Sequence, residues 1–135
     1  MAQPTVPTNQ TVYRDFDITF KKHPVTNGLV IRKNADAITQ GIKNLILTDK
    51  YERPFKPLFG SDVRKRLFDN FDPSTLEGVS HDVSLAFENY GSRAQLLNVG
   101  VGSDPDTNQL NVTITYRPLN AAIIKTSTFT LEALR

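Results

Sequence analysis

Residues 110–116, Leu-Asn-Val-Thr-Ile-Thr-Tyr, alternate apolar and polar side chains without a break. Successive side chains of a strand point to opposite faces, so this period of two predicts a strand with one buried face. A second alternation precedes it at Leu97, Val99 and Val101, and a Thr-rich extended run follows it at residues 124–130. Three such runs in succession predict an antiparallel meander in the C-terminal part of the sequence.

Upstream of the meander the apolar residues follow the period of a helix. One stripe lies within residues 35–47: Ile38, Ile42, Leu45 and Ile46. Their spacing puts them on one face of a helix. Gly41 inside this helix costs about 1 kcal/mol relative to alanine, which indicates close packing at that point.

Two more helices are predicted downstream. The first is short, is capped by Ser61 and turns three apolar side chains inward: Val63, Leu67 and Phe68. The second begins after Pro73. Ser74 and Glu77 have the spacing of a capping box at its start, and Gly91 can supply a left-handed stop at its end.

The N-terminal part of the sequence divides into an arm and a strand. Residues 1–10 contain two prolines and two threonines without periodicity, which predicts a flexible arm. Phe16, Ile18 and Phe20 alternate with polar residues, which predicts a half-buried strand. The expected fold is α+β: an N-terminal strand and about three helices packed on the C-terminal antiparallel meander, in a single domain over residues 11–135.

The composition excludes several kinds of site. The sequence has no cysteine, and His23 and His81 are 58 residues apart, so thiolate chemistry and a local histidine pair for a metal are excluded. Apolar runs are at most four residues long, and residues 1–10 lack the layout of a secretory signal, so we expect no membrane helix and no leader. We therefore predict no catalytic residue, no metal site, no cofactor and no membrane partner.

A lysozyme-type activity is one alternative function. It needs a carboxylic acid of raised pKa and a second carboxylate at a fixed separation. The candidates are Glu52, Glu77, Asp82 and Glu88. Glu52 lies next to Arg53, whose guanidinium would lower the pKa of that carboxyl, the wrong direction for a general acid.

Nucleic-acid binding is the second alternative. The cluster that could touch phosphates is Arg64, Lys65 and Arg66. No groove-reading motif accompanies it, so we expect no nucleic-acid partner.

Charge is distributed unevenly along the sequence. Residues 1–66 carry 12 Lys and Arg against 6 Asp and Glu, whereas residues 67–135 carry 4 Lys and Arg against 8 Asp and Glu.

The C-terminal strands contain few charged residues, since only 4 of the 38 residues from 94 to 131 are charged. Uncharged edge strands pair readily with another chain, so we expect a partner to add a strand here. The candidate contacts are Thr113, Thr115, Thr126, Thr128 and Thr130.

Three stretches of the sequence resemble one known family. They are residues 37–48, the string Glu52-Arg53-Pro54-Phe55-Lys56-Pro57-Leu58-Phe59-Gly60, and residues 63–68. In this order they are similar to the baseplate wedge, or sheath-initiator, family of contractile phage tails, which has relatives in type VI secretion baseplates. The likeness extends over about residues 15–131, and the Arg-Pro-Phe-x-Pro-x-Phe-Gly string is its most specific part.

The resemblance implies a fold like the interlocking domain of the sheath subunit and a noncatalytic role, although family members have been labelled lysozyme-like. It implies a baseplate component that links the wedge core to the first sheath ring and templates sheath assembly. The implied partners are the sheath subunit and the wedge core proteins, with tube-initiator or hub proteins as further candidates. The implied location is the baseplate of a virion tail, assembled in the host cytoplasm. The residues carried over for the wedge-core contact are Ile42, Glu52, Arg53, Pro54, Phe55, Pro57, Phe59 and Gly60.

One departure from the family follows the third predicted helix. The family has a Glu-Pro-Arg signature there, and this sequence has Gly91, Ser92 and Arg93, so only the arginine matches. The Arg93 guanidinium can donate two parallel hydrogen bonds to a partner carboxylate, or it can cap the helix locally. We assign it to the sheath side together with the threonines.

Overall fold

The computed structural model describes residues 13–119 and 122–132, so the arm predicted at residues 1–10 lies outside the described residues. Within them the elements follow in this order: β1 (Arg14–Phe16), β2 (Ile31–Lys33), α1 (Asn34–Leu47), α2 (Val63–Arg66), α3 (Pro73–Tyr90), β3 (Ala94–Asp104), β4 (Gln109–Pro118) and β5 (Lys125–Glu132). The helices and the β3–β4–β5 sheet share one apolar core, which confirms the predicted α+β arrangement. No helix in the described part of the chain is long and apolar enough to cross a membrane.

β4 is the central strand of the C-terminal sheet and runs antiparallel to both β3 and β5, so the predicted meander is confirmed. Its inward side chains are fully buried: Leu110, Val112, Ile114 and Tyr116. Full burial of one large apolar side chain contributes about 1.5–3 kcal/mol, so these four residues contribute strongly to the core that the sheet shares with the helices.

One extra residue interrupts the pairing of β3 with β4. The register shifts between Leu96 and Asn98, and Leu97 at the shift is 41% exposed. Leu96 packs against the core together with Val99 and Val101. The prediction that Leu97 shares their face is wrong, because a bulge inverts the side-chain alternation where it is inserted.

α1 turns its predicted apolar stripe into the core, since Ile38, Ile42, Leu45 and Ile46 are all buried. The Thr39 hydroxyl donates to the carbonyl of Ala35 at 2.8 Å and is also hydrogen-bonded to the Tyr116 hydroxyl, so it joins α1 to β4. A β-carbon built on Gly41 would meet nothing within 4 Å. The prediction of close packing at Gly41 is therefore wrong.

α2 is a single turn that ends at Arg66. Val63 and Leu67 are buried as expected, but Phe68 lies beyond the helix and is largely exposed, so its predicted inward position is wrong. Ser61 lies one residue before the N-cap Asp62, and its hydroxyl oxygen accepts the backbone N–H of Val63 at 3.5 Å, so it caps α2 only weakly. Its hydroxyl donates to the carbonyl of Ile46 at 2.6 Å and thereby ties the start of α2 to the end of α1.

α3 is capped by Asp72, which precedes Pro73. The Asp72 carboxylate accepts the backbone N–H of Thr75 at 2.7 Å, and this bond lowers the pKa of Asp72. Asp72 therefore takes the place predicted for Ser74. Gly91 at the other end has φ of −81°, so the predicted left-handed stop is wrong. Glycine fits there because a β-carbon would lie 2.5 Å from the carbonyl oxygen of Phe87.

β1 and β2 form a two-stranded antiparallel ribbon immediately before α1. β1 ends at Phe16 because the chain turns at residues 17–20, where the Phe20 N–H donates to the Asp17 carbonyl at 2.9 Å. Phe16, Ile18 and Phe20 are each more than half exposed, so the predicted half-buried strand is wrong. Residues 14–33 are called the N-terminal hairpin below.

Candidate protein-binding surfaces

The Pro-rich loop, residues 49–61, connects α1 to α2 and has a fixed shape. The Ser61 N–H donates to the carbonyl of Thr48 at 2.9 Å and closes the loop at its base. Gly60 has φ of 116°, and a β-carbon on it would overlap the Thr48 carbonyl, so the position requires glycine. Ser61 is fully buried, which places the base of the loop against the core.

The outer side of the Pro-rich loop presents apolar side chains to solvent. Phe55 is fully exposed, and Tyr51 and Leu58 are more than half exposed. Tyr51 and Phe55 have φ of 69° and 68°, a conformation that bulky residues rarely adopt. The Tyr51 N–H donates to the carbonyl of Pro57 at 2.7 Å and holds this arrangement. Strained residues concentrate at functional positions, so this surface is a candidate contact.

Tyr51 and Leu58 are candidates that the sequence analysis did not single out. Their sequence positions could have indicated their exposure, because both lie within three residues of Pro54 or Pro57. This segment has no apolar period that would bury large side chains. Both prolines are exposed on the loop together with Phe55.

Stacked side chains join the base of the loop to α3. The Arg53 guanidinium lies 4.7 Å from the centre of the Phe59 ring, and that ring meets Tyr90 edge-on with centroids 5.0 Å apart. A cation–π contact at an exposed site contributes about 0.5–1 kcal/mol. The Glu52 carboxylate accepts the N–H of Asp49 at 2.9 Å. Glu52, Arg53 and Phe59 therefore help to shape the loop.

A groove of about 350 Å³ lies between α1, the Pro-rich loop and the end of α3. Arg53 and Arg93 both line it, together with Asp15. Gly41 is part of its lining, and the open space at Gly41 leaves the groove clear. The Arg93 guanidinium lies 5.4 Å from the centre of the Tyr13 ring. Two guanidinium groups in one groove favour a partner that carries a carboxylate.

The structure groups Arg93 with Arg53 rather than with the threonines, because Arg93 lies in the groove on the helical side of the molecule. Ile42 and Gly60 are buried, so they support α1 and the loop and offer almost no surface of their own. The remaining motif residues are exposed, apart from Phe59, which is partly buried: Glu52, Arg53, Pro54, Phe55 and Pro57.

The outer face of the C-terminal sheet carries the predicted threonines. The hydroxyls of Thr113 and Thr128 are 3.1 Å apart and those of Thr115 and Thr126 are 3.3 Å apart. Thr130 donates to the side-chain oxygen of Asn111 at 2.8 Å. These pairs form an uncharged ladder between β4 and β5. The backbone of β4 is paired on both sides, so in this three-stranded sheet the outer edges that a new strand could join belong to β3 and β5.

The family model described as baseplate wedge protein gp25 matches residues 32–121, from β2 through β4. The chain belongs to this baseplate wedge family. It is 33% identical over 93 residues to baseplate wedge protein gp25 of Enterobacteria phage T4, and the match covers 67% of each chain. Membership in the baseplate wedge family makes the chain a structural component of the contractile tail baseplate. β5 lies outside the residues that the family model matches.

Solved structures share the fold. A protein of Geobacter sulfurreducens described as a candidate tail lysozyme aligns with a TM-score of 0.65 at 22% identity, covering 73% of this chain and 89% of its own. A chain of the anti-feeding prophage baseplate aligns with a TM-score of 0.61 at 16% identity, covering 87% and 83%. A chain of the postcontracted baseplate of pyocin R2 aligns with a TM-score of 0.52 at 12% identity, covering 84% and 97%.

Two of the four carboxylates named for a lysozyme-type activity, Glu52 and Asp82, have structural partners in this member of the family. Glu52 accepts a hydrogen bond within the loop, and Asp82 accepts the Arg66 Nε at 2.5 Å. Where the pKa of a described carboxyl group is shifted, it is lowered, as in Asp17, Asp62, Asp72 and Asp104. A general acid needs the opposite shift. Among the described residues no group of three or more His, Asp or Glu could hold a metal ion.

Two members of the basic cluster are neutralised within the fold. Lys65 pairs with Asp62 at 2.8 Å, and Arg66 pairs with Asp82. These carboxylates raise the pKa of both cations. Of these three residues, Arg64 alone has no ion-pair partner in the described part of the chain, so the cluster is a weak phosphate site.

Proposed function

We propose that this chain is a noncatalytic connector, which links the wedge core to the first sheath ring and templates sheath assembly by accepting a strand from a sheath subunit. The observation that carries the proposal is the open edge of β5 beside an uncharged threonine ladder. The proposal assigns one surface to each of two partners.

β5 is the better of the two edges for strand addition. Natural edge strands are protected by charges, prolines or bulges. β3 has such a bulge at Leu97, whereas β5 has charged residues only at its ends, Lys125 and Glu132. The side chains between them that face outward are Thr126, Thr128 and Thr130. Main-chain hydrogen bonds from an added strand would supply affinity with little dependence on side-chain identity.

The Pro-rich loop and the neighbouring groove suit the wedge-core contact. Phe55 is fully exposed on a loop of fixed shape, so little conformational entropy is lost when it enters a partner pocket. Arg53 and Arg93 can bind a partner carboxylate in the groove beside it. Because the loop belongs to the helical layer and the threonines face away from that layer, both partners can bind at once.

Proline substitutions on β5 test the strand-addition step. Successive N–H groups of an antiparallel edge strand alternate between the paired side and the open side. One of Ser127→Pro and Thr128→Pro therefore removes an N–H that faces away from β4, and the thermal stability of the purified variants identifies which one retains the fold. Thr128→Val keeps every N–H and serves as the matched control.

The folded proline variant should yield tail tubes on baseplates with at least tenfold fewer sheathed particles by electron microscopy, while Thr128→Val should remain near wild type. Sheathed tails at the wild-type level from the folded proline variant would contradict strand addition at β5. Baseplates that lack the variant altogether would instead point to a lost wedge-core contact.

A further inference from the structure

The N-terminal hairpin exposes an unusual number of large apolar side chains. Those exposed within residues 14–33 are Phe16, Ile18, Phe20, Val25, Leu29 and Ile31. Single exposed apolar residues are common on protein surfaces, but a contiguous group marks an interaction site. Neither the Pro-rich loop nor the threonine ladder includes this hairpin.

The strand register places two apolar and two basic side chains on one face. Phe16 stands directly opposite Ile31, and Arg14 stands opposite Lys33. Alternate residues of paired strands share a face, so these four side chains form one surface, called the ribbon face. Phe16 is 54% exposed and Ile31 is 47% exposed.

Polar contacts on the other side of the ribbon fix the position of the ribbon face. Asp17 is buried and accepts hydrogen bonds from the Thr19 hydroxyl at 2.6 Å and from the Arg32 Nε at 2.7 Å. Gln40 of α1 donates its amide N–H to the carbonyl of Phe16 at 2.5 Å, and its side-chain oxygen accepts the N–H of Ile18 at 3.2 Å. The hairpin is therefore positioned without burying its apolar side chains.

Phe20 adds backbone strain to the same hairpin. It has φ of 48°, and its side chain remains largely exposed. Bulky residues rarely adopt this conformation, because the side chain crowds the backbone. The turn at Asp17 keeps Phe20 in this strained and exposed position.

The charges around the ribbon face determine the kind of partner that fits. Arg32 is paired with Asp17 at 2.7 Å. The other cations of the hairpin have no ion-pair partner among residues 13–119 and 122–132: Arg14, Lys21, Lys22 and Lys33. An apolar pair flanked by unpaired cations is complementary to a segment that has apolar side chains on one side and carboxylates beside them.

We propose that the ribbon face binds an acidic segment, apolar on one side, of another protein of the baseplate. Phe16 and Ile31 bury the apolar side chains of that segment, and Arg14 and Lys33 pair with its carboxylates. This surface is separate from β5 and from the Pro-rich loop, so the proposal stands or fails independently of strand addition.

Site-directed photocrosslinking in assembled particles tests the occupant. p-Benzoylphenylalanine replaces Phe16 in the full-length chain, and it replaces the exposed Leu119 in the control. Mass spectrometry of the irradiated particles should locate the Phe16 adduct in a segment of a different protein that has at least two Asp or Glu within five residues. An adduct with a neutral or basic segment, with residues 1–12 or a second copy of this chain, with nucleic acid or with lipid would overturn the proposal. So would the absence of any adduct, or the same adduct from residue 119.

Charge reversal tests the role of the cations. Arg14→Glu combined with Lys33→Glu should lower incorporation of the chain into particles at least fivefold while the purified variant keeps its thermal stability. Lys43→Glu combined with Arg64→Glu makes the same change in net charge at exposed positions outside the hairpin and should leave incorporation near wild type. Equal losses from both pairs, or no loss from either, would contradict pairing at the ribbon face.

Discussion

Gly60 lies against the carbonyl oxygen of Thr48, so close that a β-carbon on residue 60 would overlap it. The same glycine has φ of 116°, outside the range open to other residues. The two residues close the base of the Pro-rich loop and set the direction in which Phe55 is displayed. A backbone contact that no side chain mediates thus determines the shape of a candidate binding surface.

Gly60→Ala should lower the free energy of unfolding by at least about 2 kcal/mol, because it combines an unfavourable φ with a steric overlap. Urea denaturation measures the change. Gly41→Ala is the matched control, since a β-carbon there meets nothing within 4 Å. In a helix interior that substitution should stabilise the protein by about 0.5–1 kcal/mol. A Gly60→Ala protein as stable as wild type would contradict the fixed loop base.

Tyr116→Phe should destabilise the protein by about 1 kcal/mol, because it removes a buried hydrogen bond between β4 and Thr39 of α1. Thr39→Val should have a similar effect. The double variant should cost clearly less than the two single changes added together, since the residues share one bond. Urea denaturation of all four proteins gives the coupling, and strict additivity would show that the bond contributes nothing.

The stability of the hairpin should depend on pH through Asp17. Hydrogen bonds from Thr19, with the paired Arg32, lower the pKa of Asp17 to about 2. A carboxyl whose pKa is lowered in the folded state stabilises the fold above its unfolded pKa of about 4, and that contribution is lost as pH falls towards 2. Asp17→Asn should therefore destabilise the protein at pH 7 and do so much less at pH 2. An equal difference at both pH values would contradict this role.

Thr128→Lys combined with Thr130→Lys should leave a folded monomer but yield tubes without sheath. The two lysines place positive charge on the uncharged ladder where a strand would be added. Glu77→Gln combined with Glu88→Gln adds the same net charge on exposed positions of α3 and is the control. Electron microscopy of particles gives the sheathed fraction, and normal sheathed tails from the lysine variant would contradict the prediction.

The purified protein should not clear a suspension of peptidoglycan, even at high concentration. Glu52 is occupied by a hydrogen bond within the loop and Asp82 by Arg66. Turbidity measurements give the answer, and Glu52→Gln should behave like wild type. Clearing that disappears with Glu52→Gln would establish the muralytic alternative.

The sequence predicted β4 and α1 well because each has one buried face, and a regular period records such a face. It extended the first strand beyond Phe16, because the turn that follows depends on hydrogen bonds between Gln40 and backbone groups 22 and 24 residues away. Such long-range hydrogen bonds produce no periodic pattern in the sequence. It also placed Leu97 on the wrong face, because an inserted residue shifts every position on one side of it.

The candidate surfaces were predicted unevenly for the same physical reason. The Arg-Pro-Phe string was recognised as a motif, but which of its residues are exposed depends on how the loop folds back on Thr48. Arg93 was assigned to the sheath side together with the threonines. In the folded chain its side chain instead lies over Tyr13 and lines the groove, a long-range contact that local spacing does not contain.

α1 begins directly after β2 and ends directly before the Pro-rich loop, and it is 14 residues long. A helix of that length spans about 21 Å, and each residue adds about 1.5 Å and about 100° of rotation. The length of α1 therefore sets both the distance and the angle between the ribbon face and Phe55. Inserting a single residue into α1 would change the angle between two docked partners far more than the distance between them, so the number of residues in this helix determines how the two partners are oriented.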